Sequence, residues 1–240
     1  MQSNLTRAAL LNELKAAGTP ERASGAARYF KTGAGEYGEG DIFLGVTVPV
    51  LRKIAGRYRT LDLLELEKLL AAKEHECRAA ALLILVAQFE RGDDAVQKAI
   101  LDLYLRNSRY INNWDLVDVS CREIVGSSVR SGSKRLLTKL AKSTSLWERR
   151  IAIISTMTLV RDGQLDDAFR IAEMLLDDPH DLIHKAVGWV LRVAGDRDRR
   201  ALLGFLKKHY DRLPRTALRY AIEHFSADDR KKILAGNFAS

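Results

Sequence analysis

The sequence predicts an all-α protein built from stacked helix pairs, and three observations lead to this prediction. Hydrophobic residues make up 47% of the 240 residues, which is ample material for a continuous core. The four prolines, Pro20, Pro49, Pro179 and Pro214, lie between apolar periodic segments rather than inside them, as in helices joined by short turns. No run of β-branched residues alternates strictly with polar residues, so no sheet is expected.

A weak internal repeat supports each element of this prediction. Five segments rich in small residues can be laid over one another, and their first residues lie 37, 35, 35 and 30 positions apart. They begin at Arg78, Asp115, Arg150, Lys185 and Arg215, and the last four follow amphipathic segments at 94–105, 134–141, 165–176 and 200–209. Because one helix pair cannot bury its own apolar stripe, such pairs stack on their neighbours. The sequence therefore predicts one HEAT-like solenoid, a curved stack of antiparallel helix pairs, over residues 1–240.

The basic residues are concentrated in the second half of the chain. Residues 1–120 hold 16 of the 39 Lys and Arg residues and 16 of the 31 Asp and Glu residues, which leaves 23 and 15 for residues 121–240. The net charge of +8 therefore belongs to the second half. This asymmetry favours a polyanion as partner, although charge alone leaves a solvated basic face as an equal alternative.

Four of the five repeated segments begin with Arg or Lys, which predicts a basic track along one side of the stack. Asp115 is the exception, and its neighbours Trp114 and Asp118 make this the place to look for chemistry. Asn112 or Asn113 is expected to cap a helix that begins near Trp114. Trp114 and Asp118 then lie one turn apart on one helix face.

The environment of Asp118 leaves two interpretations open. Its segment is largely apolar, with Val117, Cys121, Ile124 and Val125. A carboxylate is costly there unless it accepts hydrogen bonds from an adjacent helix or is used in chemistry. All three tryptophans, Trp114, Trp147 and Trp189, fall at or near the openings of successive repeated segments among cations. For each taken alone a core position is the favoured interpretation, whereas the three together with one Asp favour a functional group.

Three further patterns indicate no cofactor or metal. Gly33-Ala-Gly-Glu-Tyr-Gly38 matches a dinucleotide-binding pattern, but it follows a helical segment and carries acidic side chains, so a loop is expected. His180 and His184 lack the glutamate of a metalloprotease motif between them, so capping or surface roles are expected ahead of a metal site. Cys77 and Cys121 lie in apolar segments and are expected to be buried, reduced thiols.

The chain has no apolar run that approaches the roughly 18 residues needed to cross a membrane. Residues 1–14 also lack the apolar stretch and the cleavage site of a secretory signal. A cytoplasmic monomer is therefore expected.

Several segments resemble the DNA alkylation repair glycosylases of the AlkD type. The similar segments are Trp114-Asp-Leu-Val-Asp118, Trp147-Glu-Arg-Arg150, Lys185-Ala-Val-Gly-Trp189-Val-Leu-Arg192, Ala27-Arg-Tyr-Phe-Lys31 and Phe43-Leu-Gly-Val46 followed by Pro49 and Arg52. The resemblance runs in order from about residue 25 to residue 225. It departs from the family at Asp181-Leu182, where the family can carry an aromatic pair, which puts the DNA contacts of that region in question.

The resemblance implies a DNA glycosylase that acts on duplex DNA without a metal or organic cofactor. Its reaction would be hydrolysis of the N-glycosidic bond of cationic N3- or N7-alkylated purines, with the lesion left in the base stack. Asp118 would lie beside the deoxyribose, between Trp114 and Trp189. Candidate DNA-binding residues in the matched segments are Arg150, Arg149, Tyr29, Lys185, Trp147 and Arg192. The alternative is a non-catalytic HEAT-repeat scaffold that binds DNA or a protein.

Overall fold

The computed structural model describes residues 5–238, and within that range the chain is helical, without a strand. The all-α helical-repeat fold is therefore confirmed. The chain divides into two compact units, Met1–Ile124 and Val125–Ser240. A single continuous array over residues 1–240 stays a prediction.

The first unit is organised around one almost completely buried helix. Its helices are α1 (Arg7–Ala17), α2 (Pro20–Tyr29), α3 (Val48–Arg57), α4 (Leu63–Leu70), α5 (His75–Phe89), α6 (Asp94–Arg106) and α7 (Trp114–Asp118). The helices α1, α3, α4, α6 and α7 all pack on α5. Surrounded in this way, α5 buries Ala, Leu, Ile and Cys side chains around its circumference and exposes almost none of them. It is the core of the first unit.

The long connection between α2 and α3 is attached to the first turn of α5. The backbone N–H of His75 donates to the carbonyl of Ile42 at 2.8 Å. The Glu76 carboxylate, which is 4% exposed, accepts the N–H groups of Leu44 and Gly45 at 2.8 Å and that of Val46 at 3.2 Å. A loop without regular structure satisfies its backbone here by using one buried carboxylate.

The second unit has two central helices. It contains α8 (Ser127–Ser131), α9 (Arg135–Ala141), α10 (Leu146–Arg161), α11 (Asp166–Met174), α12 (Asp181–Arg197), α13 (Arg199–Lys208), α14 (Arg215–Ala221) and α15 (Ala227–Leu234). Helix α10 packs on α9, α11 and α12, and α12 also packs on α13 and α14. A Cβ atom at Gly188 would lie 2.5 Å from the carbonyl oxygen of Ala217, so glycine permits the close approach of α12 and α14.

The repeat prediction is confirmed at the level of its helices. The amphipathic segments correspond to α6, α9, α11 and α13, and the small-residue segments lie in α5, α7, α10, α12 and α14. Within the first unit α5 packs on α7, and within the second unit α10, α12 and α14 are successive neighbours.

The segment at Asp115 departs from the pattern because its helix is short. Helix α7 ends at Asp118, and a π-helical turn follows at Arg122–Gly126. The Ser120 hydroxyl donates to the carbonyl of Leu116 at 2.6 Å, while the Ser120 N–H turns to Val117. A serine side chain that takes the i−4 carbonyl competes with the helical backbone, which explains the break.

We expect Glu76→Ala to free the loop before α3. It would leave three backbone donors without their acceptor, at a cost of about 1–3 kcal/mol for each buried group left unpaired. Amide hydrogen exchange at residues 44–46 should accelerate by about tenfold or more. Glu90→Ala, at an exposed position directly after α5, is the matched control and should leave that exchange unchanged. Equal exchange in both variants would contradict this account of the loop.

Candidate active site

Trp114 opens α7 and is held by aromatic side chains around the end of α2. Its indole stacks on Phe30 with ring centroids 5.4 Å apart and an interplanar angle of 23°. Tyr29 meets the indole edge-on at 6.0 Å, and the indole N–H donates to the Tyr37 hydroxyl. Trp114 is half-buried and Tyr29 is 67% exposed, so this aromatic group borders solvent.

The local sequence explains why α7 begins at this tryptophan. The Asn113 side chain accepts the N–H of Trp114 at 2.8 Å, which confirms the predicted cap. Leu116 and Val117 are fully buried and anchor the helix from one side. Trp114 and Asp118 lie one turn apart on the other side, as the spacing predicts.

Asp118 is a half-buried carboxylate next to a buried core. Burial raises the pKa of Tyr104 well above its ordinary value, and the charge of Asp118 adds to that shift. Such a carboxylate can stabilise a cation placed beside it.

A buried ionic network joins α5, α7 and the loop before α3. The Nδ1 atom of His75 lies 3.1 Å from Oδ2 of Asp41, and its Nε2 atom lies 2.8 Å from Oδ2 of Asp115. Arg78 donates to the other oxygen of Asp41 at 2.6 Å. The side-chain amide of Asn113 also lies 3.4 Å from Asp41.

The pKa values of this network follow from its contacts. Burial opposes ionisation of Asp41, but His75 and Arg78 outweigh it, so the Asp41 pKa is lowered. Burial likewise lowers the His75 pKa, but the hydrogen bonds that His75 donates to Asp115 and Asp41 outweigh burial, so the His75 pKa is raised. The contacts therefore favour the ionised form of Asp41 and the protonated form of His75.

Sequence reasoning missed this network. It marked Asp115 as a place to look for chemistry, whereas the structure pairs Asp115 with His75. The partners are separated by 34 and 40 residues, so no short motif joins them. One signal was present: the charged residues His75, Glu76 and Arg78 open a helix that otherwise consists of core residues.

The basic track predicted from the repeat is not found at Arg78 and Arg150, because both side chains are buried. Arg78 donates to the carbonyls of Ala72 and Lys73 just after α4. Arg150 is 5% exposed and donates to the carbonyl of Leu182 at 2.7 Å. Arginine satisfies several backbone carbonyls at once, and this role can withdraw it from the surface.

Arg149 also has a structural role. Its Nε atom lies 2.5 Å from the buried Asp178 carboxylate, and Nη1 donates to the carbonyls of Ser143 and Thr144. It therefore ties the start of α10 to the connections before α10 and α12. Trp147, in the same turn, is half-buried.

Helix α12 carries the remaining candidates of the second unit. Lys185, Trp189 and Arg192 follow one another at one-turn spacing, which places them on one face. The Lys185 side chain is 41% exposed and lies 2.8 Å from Asp181, and Arg192 pairs with Glu223. Trp189 is half-buried. Within their own units, the structure thus groups Tyr29, Trp114 and Asp118, and it groups Lys185, Trp189 and Arg192.

The glycine-rich segment is a loop whose own acids occupy its backbone. Glu36 accepts the N–H of Gly33 and Glu39 accepts that of Gly35, both at 2.9 Å. A pyrophosphate would need those donors. The prediction of a loop is therefore confirmed.

The predicted capping role of the histidine pair and the predicted burial of both cysteines are also confirmed. His180 caps α12 by accepting the N–H of Leu182, and His184 bonds the carbonyl of Asp178. Cys77 and Cys121 are buried, and burial raises the pKa of Cys77 to about 12. In residues 5–238 no three His, Cys, Asp or Glu side chains are grouped to hold a metal. No helix in the same range is long and apolar enough to span a membrane.

We expect Gly38→Ala to disturb the support of Trp114. A Cβ atom at Gly38 would lie 2.4 Å from the carbonyl oxygen of Phe30, the residue on which the indole stacks. Overpacking of this kind costs about 1–3 kcal/mol, so the melting temperature should fall. Gly25→Ala in α2 is the control, because its Cβ meets no atom within 4 Å and alanine favours a helix. A Gly38→Ala protein as stable as the parent would show that the loop moves to accommodate the added Cβ atom without cost.

Comparison with known proteins identifies the family. A family model described as DNA alkylation repair enzyme matches residues 10–225. A solved structure of a predicted DNA alkylation repair enzyme from Enterococcus faecalis shares the fold, with a TM-score of 0.67 and 18% identity over 88% of this chain and 97% of that chain. None of the curated proteins searched matches. Because the family model covers most of the sequence, this chain belongs to the DNA alkylation repair enzyme family.

Proposed function

We propose that this protein is a monofunctional DNA glycosylase that releases cationic N3- or N7-alkylated purines from duplex DNA. The observation that carries the proposal is the half-buried Asp118 carboxylate, one turn from Trp114 in an apolar segment of a DNA alkylation repair family member. A carboxylate one turn from an indole on the same helix face can stabilise a cationic group placed beside both.

The chemistry suits a carboxylate without a metal or organic cofactor. An alkylated purine carries a positive charge, so the bond from C1′ to the base nitrogen breaks with its electron pair moving to the base, which leaves neutral. Positive charge then develops on the sugar. Asp118 stabilises that charge and orients a water whose oxygen bonds to C1′ while its proton passes to bulk solvent, as carboxylates position water in glycoside hydrolysis.

The tryptophans contribute through their ring faces. A cation placed over the face of an indole ring is stabilised by about 0.5–2 kcal/mol, and the stabilisation grows as water is excluded from the contact. Trp114 is preorganised for this role because Phe30, Tyr29 and Tyr37 fix its ring before any ligand binds. Trp189 is assigned to the lesion by the family resemblance alone.

DNA binding is assigned to the second half of the chain, which holds the excess of basic residues. We propose that its cations contact phosphates, so binding is largely independent of sequence. Lys185 is better suited than Arg149, because Arg149 is engaged with Asp178 and two backbone carbonyls. The protein is proposed to act as a cytoplasmic monomer.

We expect Asp118→Asn to slow base release by about 10²-fold or more, because it removes one preorganised charge while keeping the side-chain shape. The measurement is single-turnover excision of N7-methylguanine from a duplex, together with affinity for the undamaged duplex, which should hold or rise slightly.

Asp102→Asn is the matched control, because it removes an exposed carboxylate from α6 of the same unit. Asp115→Asn is unsuitable as a control, since Asp115 is paired with His75. If Asp118→Asn excised the base as fast as Asp102→Asn, Asp118 would be structural and the mechanism wrong. DNA binding without excision by the parent would favour the scaffold alternative.

Lys185→Ala should weaken binding to all duplexes alike and reduce the slope of log affinity against log salt by roughly one, as expected for one lost phosphate contact. Lys98→Ala is the control: Lys98 is 75% exposed and, like Lys185, pairs with an aspartate one turn away on its helix. Both variants lose the same charge and the same type of pair. Identical salt slopes for the two variants would remove Lys185 from the DNA-binding surface.

A further inference from the structure

Three segments that are distant in sequence meet at His75. Its Nδ1 atom faces Asp41 of the loop before α3 at 3.1 Å, and its Nε2 atom faces Asp115 of α7 at 2.8 Å. His75 itself opens α5 and is buried, as is the Asp41 side chain. One imidazole ring thus lies between two carboxylates.

The protonation state of this ring decides how many of its bonds can form. A neutral imidazole has one N–H and donates to one carboxylate, whereas an imidazolium donates to both. Asp41 also receives a hydrogen bond from Arg78. By contrast, among residues 5–238 no donor reaches the buried Oδ1 atom of Asp115. The bond from His75 is therefore what satisfies Asp115.

His75 is connected to Trp114 along two routes. The first is ring packing: the imidazole lies 5.0 Å from the Phe30 ring and 4.5 Å from the Phe43 ring, and Phe30 stacks on the indole at 5.4 Å. The second is the backbone, because Asp115 directly follows Trp114 in α7. A change at His75 can therefore move the indole in two ways, through the Phe30 ring that stacks on it and through the backbone of α7.

We propose that His75 is a positioning residue for Trp114: its imidazolium ties the loop at Asp41 to α7 at Asp115 and keeps the indole stacked on Phe30. This placement of Trp114 is a property of the folded protein. Its effect on base excision rests on the proposed function.

The placement is pH-dependent in a defined direction. The ionic groups facing His75 are Asp41 from the loop, Asp115 from α7 and Arg78 from α5 itself, while Glu76 is occupied by the loop backbone. Burial lowers the His75 pKa, and the two carboxylates outweigh it, so the folded value lies above 6.5. The stabilisation is complete below the unfolded pKa and is lost as the pH rises through the folded pKa.

Nuclear magnetic resonance tests the placement without reference to activity. The ¹⁵N shifts of the His75 ring report its charge, and the indole N–H of Trp114, assigned with Trp114→Phe, reports the bond to Tyr37. In the parent we expect the His75 ring to titrate above the ordinary histidine pKa of 6.5. His75→Gln should move the Trp114 resonance at pH 7. His224→Gln, which removes the ring from an exposed His–Asp pair of 2.8 Å, should not.

Asp115→Asn provides a second variant that keeps the shape of the acceptor. Losing one of two buried carboxylate partners should lower the His75 midpoint by about one pH unit or more. A His75 midpoint at or below 6.5 in the parent, or a Trp114 resonance that is unchanged in His75→Gln, would overturn the proposal.

The rate of excision tests the consequence for chemistry. His75→Gln should excise N7-methylguanine about tenfold more slowly while its affinity for undamaged duplex stays within about twofold, because small misplacements of a binding group reduce rates strongly. Any titration of the substrate affects the parent and the variant equally, so it cancels in the ratio of their rates. This ratio should fall towards one as the pH rises through the His75 midpoint. A flat ratio would overturn the role in chemistry. If the parent released no base, the proposed function would fail, while the resonance data would still decide the placement of Trp114.

Discussion

The rest of the first unit depends on one constraint, which is that the charges at the start of α5 must be paired because the helix is buried. His75, Glu76 and Arg78 enter the core of this unit together. An unpaired buried charge is unstable, and removing one partner of a buried pair typically costs about 3–5 kcal/mol. The loop before α3 and helix α7 supply the partners through Asp41, backbone N–H groups and Asp115. The position of Trp114 follows from these pairings.

In the second unit, backbone carbonyls near the helix ends are hydrogen-bonded by arginine side chains. The chain must leave each short helix and enter the next, and this exposes carbonyls that have no helical partner. From the start of α10, Arg149 satisfies two such carbonyls just after α9, and Arg150 donates to a carbonyl in the first turn of α12. The Arg149-Arg150 pair, which looks like a basic motif in the sequence, therefore has a structural role. In the proposed function, the charge available to a polyanion comes from residues such as Lys185, whose side chain reaches solvent while it is paired with Asp181.

The short helix α7 carries two of the proposed active-site residues, Trp114 and Asp118. The Ser120 hydroxyl donates to the carbonyl of Leu116, so the helix ends at Asp118. Its single turn contributes apolar contacts on one side and one carboxylate on the other. Its first residue, Trp114, is fixed from outside by aromatic rings and by the ionic network next to it. A rigid ring and a carboxylate at fixed spacing are what a binding site for a cationic group requires. Rigidity here comes from the core of the unit, and the helix itself adds little.

The sequence by itself determined the repeated helices from Arg78 onward, the spacing of Trp114 and Asp118, a cap at Asn112 or Asn113 and the excess of charge in the second half, because all of these depend on local periodicity or on composition. Tertiary structure decided which charges are buried. It withdrew Arg78 and Arg150 from the expected basic track, and it joined Asp41, His75 and Asp115 across 34 and 40 residues. Pairing between distant segments leaves no periodic trace in a sequence. It is set by which helices pack together, and only the folded chain contains that information.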